Sequence, residues 1–307
     1  MIDKYVYSVI KSLILLYYFN CVSVKECLKA QCKMRLQNII TISADETENE
    51  YRIKLPADPV GSLVLCENGE TATYLQNRGY AVCGVLTKEN QESGEGFKGI
   101  SYLIEAPEEI EWWQYEKIYG RLNGIPWNIL ETENLLLRET TVEDVKEFYE
   151  IYSQEHITDY LEELFEDYEE ECDYIRKYIK NIYGFYEYGM WTIVEKASQK
   201  VIGRAGIEPG QVFDNYKELR GKDIAELGYV IGRPWQNKGY ATEVCKAILD
   251  FSKDIDGLEG VAARMSPRNE ASIALCRKLK LQELVIDEIV DKASIRYEGE
   301  KLFYMAK

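Results

Sequence analysis

The segment that most constrains this chain is Glu226-Leu-Gly-Tyr-Val-Ile-Gly-Arg-Pro-Trp-Gln-Asn-Lys-Gly-Tyr-Ala-Thr-Glu243. An apolar strand over residues 224–232 breaks at Gly232 and Pro234. A helix with Val244, Cys245, Ile248 and Phe251 facing inward begins at Ala241. A strand that turns so abruptly into a helix brings the backbone N–H groups of Asn237, Lys238, Gly239, Tyr240 and Ala241 to the positive end of the helix dipole. That arrangement suits a pair of phosphate groups, and Gly239 and Ala241 keep their approach open. A further strand at 261–265 makes the whole a strand-helix-strand crossover, which joins parallel strands.

The surrounding pattern is that of one domain over residues 131–307. Residues 135–138 read as a strand, and Thr141-Val-Glu-Asp144 starts a helix that runs to about Tyr152. Residues 162–173 are dense in carboxylates, either as a solvated loop and first helical turn or as the border of a cation site. Tyr174, Ile175, Tyr178, Ile179 and Ile182 then share one helical face that ends at Gly184. Strands at 190–195 and 201–208 form a hairpin, a helix spans about 270–279, and strands near 283–290 and 300–306 finish the domain. The expected architecture is α/β, a mixed sheet flanked by helices.

Upstream, residues 1–125 read as a smaller open α/β domain of Rossmann-like type. The first sixty residues suggest one or two helices, with Val6, Val9, Ile10, Leu13 and Leu16 at helical spacing, and the apolar run 9–19 is too short to span a bilayer. Strands at 63–66 and 80–86 flank a helix at 70–78, and a strand at 100–104 precedes a helix at 112–122. The first strand-to-helix turn, Cys66-Glu-Asn-Gly-Glu70, lacks the G-x-G-x-x-G spacing of a dinucleotide site. Gly124-Ile-Pro-Trp127 marks the boundary.

Charge and rare residues exclude several functions. Lys plus Arg number 37 against 53 for Asp plus Glu, a net charge of −16 that repels nucleic acid and anionic lipid and attracts cationic amines. The eight cysteines are scattered without a CxxC pair, which fits reduced thiols in a cytoplasmic protein. His156 is the sole histidine, so the usual zinc ligand sets and a Ser-His-Asp triad lack their members, and no metal site is expected.

At the loop Gln236-Asn-Lys-Gly-Tyr-Ala241 the sequence resembles the GNAT superfamily of acetyltransferases, whose pyrophosphate loop reads Arg or Gln, two residues, Gly, one residue, then Gly or Ala. A second segment agrees: Asn269-Glu-Ala-Ser272-Ile-Ala-Leu-Cys276 matches the family's Asn, two residues, Ser pattern before its last helix. The wording is closest to the branch that includes ribosomal-protein N-terminal acetyltransferases and small-molecule amine acetyltransferases. The resemblance covers the C-terminal domain and does not reach the first 120 residues.

The resemblance implies acetyl-CoA as cosubstrate, gripped by Gln236, Asn237, Lys238, Gly239, Tyr240, Ala241 and Thr242, with Asn269 and Ser272 on the pantetheine arm or a phosphate. It implies direct attack by a primary amine of a small molecule or of a protein N-terminus. A backbone N–H on the strand of Tyr229, Val230 and Ile231 would polarise the thioester carbonyl. Glu226 is the candidate base, with an exposed strand carboxylate as the alternative. Many relatives carry a tyrosine acid where this chain has Cys276, which is either a substitute acid or a core residue. The competing function is a non-catalytic acyl-CoA sensor or interaction protein. No nucleic-acid or membrane partner is expected, and self-association is open.

Overall fold

The computed structural model describes residues 12–17, 38–43, 55–93, 96–286 and 299–307. The chain divides into two compact units, residues 1–127 and 128–307.

In the first unit, β1 (Ser12–Tyr17), β2 (Asn38–Ser43), β3 (Ser62–Cys66), β4 (Ala81–Val85) and β5 (Leu103–Ile104) form a parallel sheet of order β2-β1-β3-β4-β5. Alternate residues of β3 enter opposite cores. Leu63 and Leu65 join Trp112, Tyr115 and Tyr119 of α3 (Trp112–Leu122), with α2 (Lys88–Ser93) preceding it in the chain. Val64 and Cys66 join Ala72 and Leu75 of α1 (Gly69–Gln76). Burial on both faces explains why the strand reads as an unbroken apolar run rather than an alternating one.

The same logic corrects the helical reading of the first residues. Residues 12–17 are β1, paired in register with β2 and β3. A short continuous apolar run such as Ser-Leu-Ile-Leu-Leu-Tyr carries no periodicity that separates a buried strand from a helix, and the spacing of Leu13 and Leu16 was coincidental. The remainder of the expected N-terminal helices, and the stretch 287–290 of the expected penultimate strand, lie outside the described residues.

The second unit is an eight-stranded sheet of order β12-β13-β11-β10-β9-β8-β7-β6. Its strands are β6 (Asn128–Glu131), β7 (Leu135–Arg138), β8 (Met190–Glu195), β9 (Lys200–Pro209), β10 (Ile224–Ile231), β11 (Gly260–Met265), β12 (Gln282–Leu284) and β13 (Lys301–Ala306). All neighbours run antiparallel except β10 and β11, which the helix α6 (Tyr240–Ser252) connects as a crossover. One face packs on α6 and α7 (Glu270–Lys278): Leu227 and Ile231 meet Val244, Cys245, Ile248, Ile273 and Cys276 in the main core. The other face is covered by α4 (Val145–Tyr152) and α5 (Tyr168–Tyr178), where Val230 meets Ile151 and Ile157.

The second face is held by polar clamps. Asp144 accepts from Arg138 Nη1 (2.7 Å), Thr141 N (2.9 Å) and Thr192 Oγ1 (2.9 Å), which fixes the start of α4 on β7 and β8. Asp167 caps α5 through Glu170 N (2.9 Å), and Glu169, Glu170 and Glu171 occupy its first turn, where the helix dipole favours carboxylates. A π-helical turn at Ile179–Tyr183 follows. It brings Tyr178 and Tyr183 edge to face, 5.4 Å between centroids, so that both hydroxyls reach the backbone of Met190 on β8.

Candidate active site

The site begins with an interruption in the sheet. β10 and β11 pair only from Ile224↔Gly260 to Glu226↔Ala262, although β10 continues to Ile231 against β9 and β11 continues to Met265 against β13. The two strands are each held by their outer neighbours and part from one another, leaving a wedge. The phase of hydrogen bonding follows from Gly232, whose N–H donates to Ile202 O at 2.8 Å. Alternation along an antiparallel strand then directs residues 228, 230 and 232 toward β9, and the N–H and C=O groups of Leu227, Tyr229 and Ile231 toward the wedge. Gln236 Nε2 donates to Ile231 O at 2.8 Å from that side, as the phase requires.

From the end of β10 the chain makes a short turn at Arg233–Trp235 and reaches α6 through an exposed loop. Asn237 (φ 60°) and Gly239 (φ 86°) both adopt the left-handed conformation, which curls the loop so that its amides face the helix start. Gly239 stands at the N-cap with no side-chain cap bond, leaving the amides of the first turn unclaimed by any capping side chain, and a Cβ there would meet no atom within 4 Å. This open, uncapped N-terminus fits a diphosphate. Lys278 of α7 donates to Thr242 Oγ1 at 3.3 Å, adding a cation beside it that the sequence reading missed. The helix is anchored elsewhere: Glu243 accepts from Thr132 Oγ1 (2.6 Å) and Asn134 N (2.8 Å), and Tyr240 OH donates to Glu195 Oε1 (2.7 Å).

Across the wedge, Asn269 caps α7 by accepting from Ser272 N at 3.1 Å, and Ser272 Oγ lies 3.0 Å from Tyr229 OH. Tyr229 therefore links β10 to α7. Burial pushes its phenol up to about 12, against the lowering effect of the Ser272 bond. Cys276 is buried in the main core one helical turn beyond Ser272, and burial pushes its thiol up to about 12 as well.

Glu226 lies at the throat of the wedge on the opposite face from Tyr229. Its Oε1 accepts from Arg264 Nε at 3.1 Å, with both side chains largely covered. Its cross-strand partner on β9 is Glu208, whose carboxylate accepts from Tyr178 OH at 2.6 Å. Like charges directly opposite repel, and Arg264 on one carboxylate and Tyr178 on the other offset that repulsion. The next pair along the same face is Gly206↔Gly228, which carries no side chains of its own, with Met190 Sδ 3.3 Å from where a Cβ on Gly228 would stand, and Arg204 with Val230 follows it. Sequence reasoning found neither Glu208 nor Arg204, because a single charge inside an apolar strand carries no spacing signal.

The expected residues thus fall into two groups. Gln236 to Thr242, Asn269, Ser272 and Tyr229 surround the wedge on the α6–α7 side. Glu226 stands on the far face, and Val230 turns its side chain there too. Cys276 faces the core. Among the described residues no cluster of three or more His, Cys, Asp or Glu is placed to hold a metal, and no helix is long and apolar enough to cross a membrane. Cys66, Cys83, Cys172, Cys245 and Cys276 are free and buried.

Known proteins agree with this geometry. The acetyltransferase (GNAT) domain family matches residues 134–282. The "Uncharacterized N-acetyltransferase p20" of Bacillus licheniformis is 27% identical over 179 residues, 58% of this chain and 96% of that protein. The "Uncharacterized N-acetyltransferase YoaA" of Bacillus subtilis (strain 168) is 28% identical over 158 residues, 50% of this chain and 83% of its own. A solved acetyltransferase from Agrobacterium tumefaciens str. C58 aligns over 58% of this chain and 94% of its own, at 19% identity and a TM-score of 0.46. Within its C-terminal unit, residues 134–282 of this chain are thus similar to the acetyltransferase (GNAT) domain family.

Proposed function

We propose that the C-terminal unit transfers an acetyl group from acetyl-CoA directly to a primary amine. The observation that carries this reading is the wedge between β10 and β11, which runs from the uncapped start of α6 to the Glu226–Glu208 pair. The diphosphate of acetyl-CoA sits on the amides after Gly239, the pantetheine arm lies in the wedge beside Ser272, and the thioester lies against the N–H groups of Leu227, Tyr229 and Ile231. One of these polarises the carbonyl as negative charge develops on its oxygen.

The acceptor approaches from the α4–α5 face. Its ammonium is drawn to Glu208 and Glu226, gives up a proton to Glu226 through water, and the neutral amine attacks the carbonyl carbon. The C–S bond then breaks, the thiolate of CoA leaves, and the attacking nitrogen gives its second proton to water to become the amide. A proton held at about 12 by Cys276 or Tyr229 lies ~5 kcal/mol uphill of a thiol with an ordinary value near ~8.5, so solvent supplies it. Calorimetric titration with acetyl-CoA, in parallel with thiol release across a panel of amines, tests the reading. Binding with amine-dependent release is expected, and absence of binding overturns it.

A further inference from the structure

Arg204 has no counter-charge. The residue is 7% exposed, and its Nε has no hydrogen-bond partner. No ion pair to it occurs among the described residues. Its guanidinium lies 4.8 Å from the centroid of Phe148 on α4. The groups that act on its charge most strongly are Tyr152, Tyr178, Tyr183 and Tyr174, all phenols that are neutral at pH 7. An arginine cannot shed its proton in a protein, and an unpaired buried charge costs several kcal/mol. A ring face satisfies part of that demand and leaves the in-plane Nε donor unanswered. Arg204 stands at one end of the row of cross-strand pairs that passes through Gly206↔Gly228 to Glu208↔Glu226.

We propose that Arg204 receives a carboxylate of the acceptor, so that the enzyme acetylates amines that also carry a carboxylate several bonds from the nitrogen. The inference rests on the transferase reading above. Four residue steps of strand lead from Arg204 to Glu208, a backbone span of ~13 Å that the two side chains shorten from both ends, which suits an ω-amino acid or a dipeptide. A planar carboxylate matches the two-pronged guanidinium edge. A phosphate dianion is disfavoured because Glu208 and Glu226 stand at the far end of the same row.

The test uses the full-length protein, saturated with CoA, and matched probes: 4-aminobutyrate, 4-aminobutyramide and 3-aminopropylphosphonate, with glycylglycine and glycylglycinamide as a second pair. Calorimetry should give at least tenfold tighter binding of the carboxylate in one pair or both. Arg204→Gln should bring that ratio to within twofold while leaving acetyl-CoA affinity unchanged. If the Gln variant does not fold, Arg204→Met, which keeps the volume packed against Phe148, takes its place with the same expectation. Equal affinity within both pairs, preference for the phosphonate, or discrimination that survives in the variant would overturn the assignment. The same titrations separate the two levels of the argument. Intact acetyl-CoA affinity without carboxylate preference removes Arg204 alone, whereas a wild-type protein without acetyl-CoA affinity removes the transferase reading and this proposal with it.

Discussion

Gly239 concentrates two demands in one residue. Its φ of 86° suits glycine, and its missing side chain leaves the helix start open. Gly239→Ala adds backbone strain of about 1–2 kcal/mol without meeting any neighbour and should bind acetyl-CoA with an affinity reduced only a few-fold. Gly239→Glu adds a negative charge where the diphosphate belongs, and calorimetry should register at least a tenfold loss, about 1.4 kcal/mol, in a folded protein. Equal affinity of the Glu variant and wild type would remove the loop from the site. Cys276 makes the opposite case. Its thiol is buried and holds its proton too firmly to serve a departing thiolate. Cys276→Ala should therefore keep kcat within about threefold, whereas general acids contribute ~10²–10⁴. A hundredfold loss of kcat in a stable variant would restore it as the acid. The loop of Gly239 was legible from the sequence because a left-handed residue between a strand and a helix favours glycine at a fixed place. Arg204 was not, since its significance lies in what the fold withholds from it, and missing partners leave no trace in a sequence.

At the scale of elements, the wedge and the row of pairs beside it both follow from β10. The strand is bound to β9 along its whole length and to β11 for three residues, so its wedge-facing edge beyond Glu226 is left without a strand partner. In the proposed transferase, Gly228 lets the acceptor approach the backbone of the sheet. A Cβ there would come 3.3 Å from Met190 Sδ, a flexible thioether that can give way. Gly228→Ala should thus fold and bind acetyl-CoA as the wild type does, while raising the acceptor KM. The neighbouring Gly206 differs, because its Cβ would come within 2.0 Å of the carbonyl oxygen of Gly189, so Gly206→Ala should fail on stability before activity can be read. An unchanged KM in Gly228→Ala would place the acceptor elsewhere. Glu226→Gln preserves the shape of the throat and an acceptor for Arg264. If Glu226 is the base, kcat should drop by ~10² at constant acetyl-CoA affinity, and an undiminished kcat would return the carboxylate to a purely structural pairing with Arg264. Most of these elements could be anticipated from alternation and helical spacing. The splay could not, since it depends on where two strands separated in the chain by α6 cease to pair. The strand β1 escaped for a different reason: a six-residue apolar run that pairs between parallel neighbours has no alternation to reveal it.

For the molecule as a whole, the question is whether the second unit needs the first in order to fold and bind. Its main core, from Leu135 to Phe303, draws every member from residues 128–307, as do the smaller clusters under α4 and α5. Trp191, Tyr183 and Phe148 are fully buried within it. The acetyl-CoA loop, the wedge and the Glu208↔Glu226 pair likewise arise from this stretch alone. The B. licheniformis relative is matched over 96% of its length by 179 residues of this chain, so a protein of about that size is complete without a counterpart of the first unit. A domain of this size buries enough surface to be stable by itself. We therefore expect residues 128–307, produced alone, to melt in a single cooperative transition and to bind acetyl-CoA within about threefold of the full-length affinity. The acceptor kinetics then decide what the first unit contributes. If kcat/KM for the best amine is also unchanged, residues 1–127 act on something other than catalysis, such as association with a partner. If kcat/KM falls at least tenfold while acetyl-CoA affinity holds, the first unit takes part in receiving the acceptor. Aggregation or loss of cooperative melting in the fragment would contradict the independence of its core.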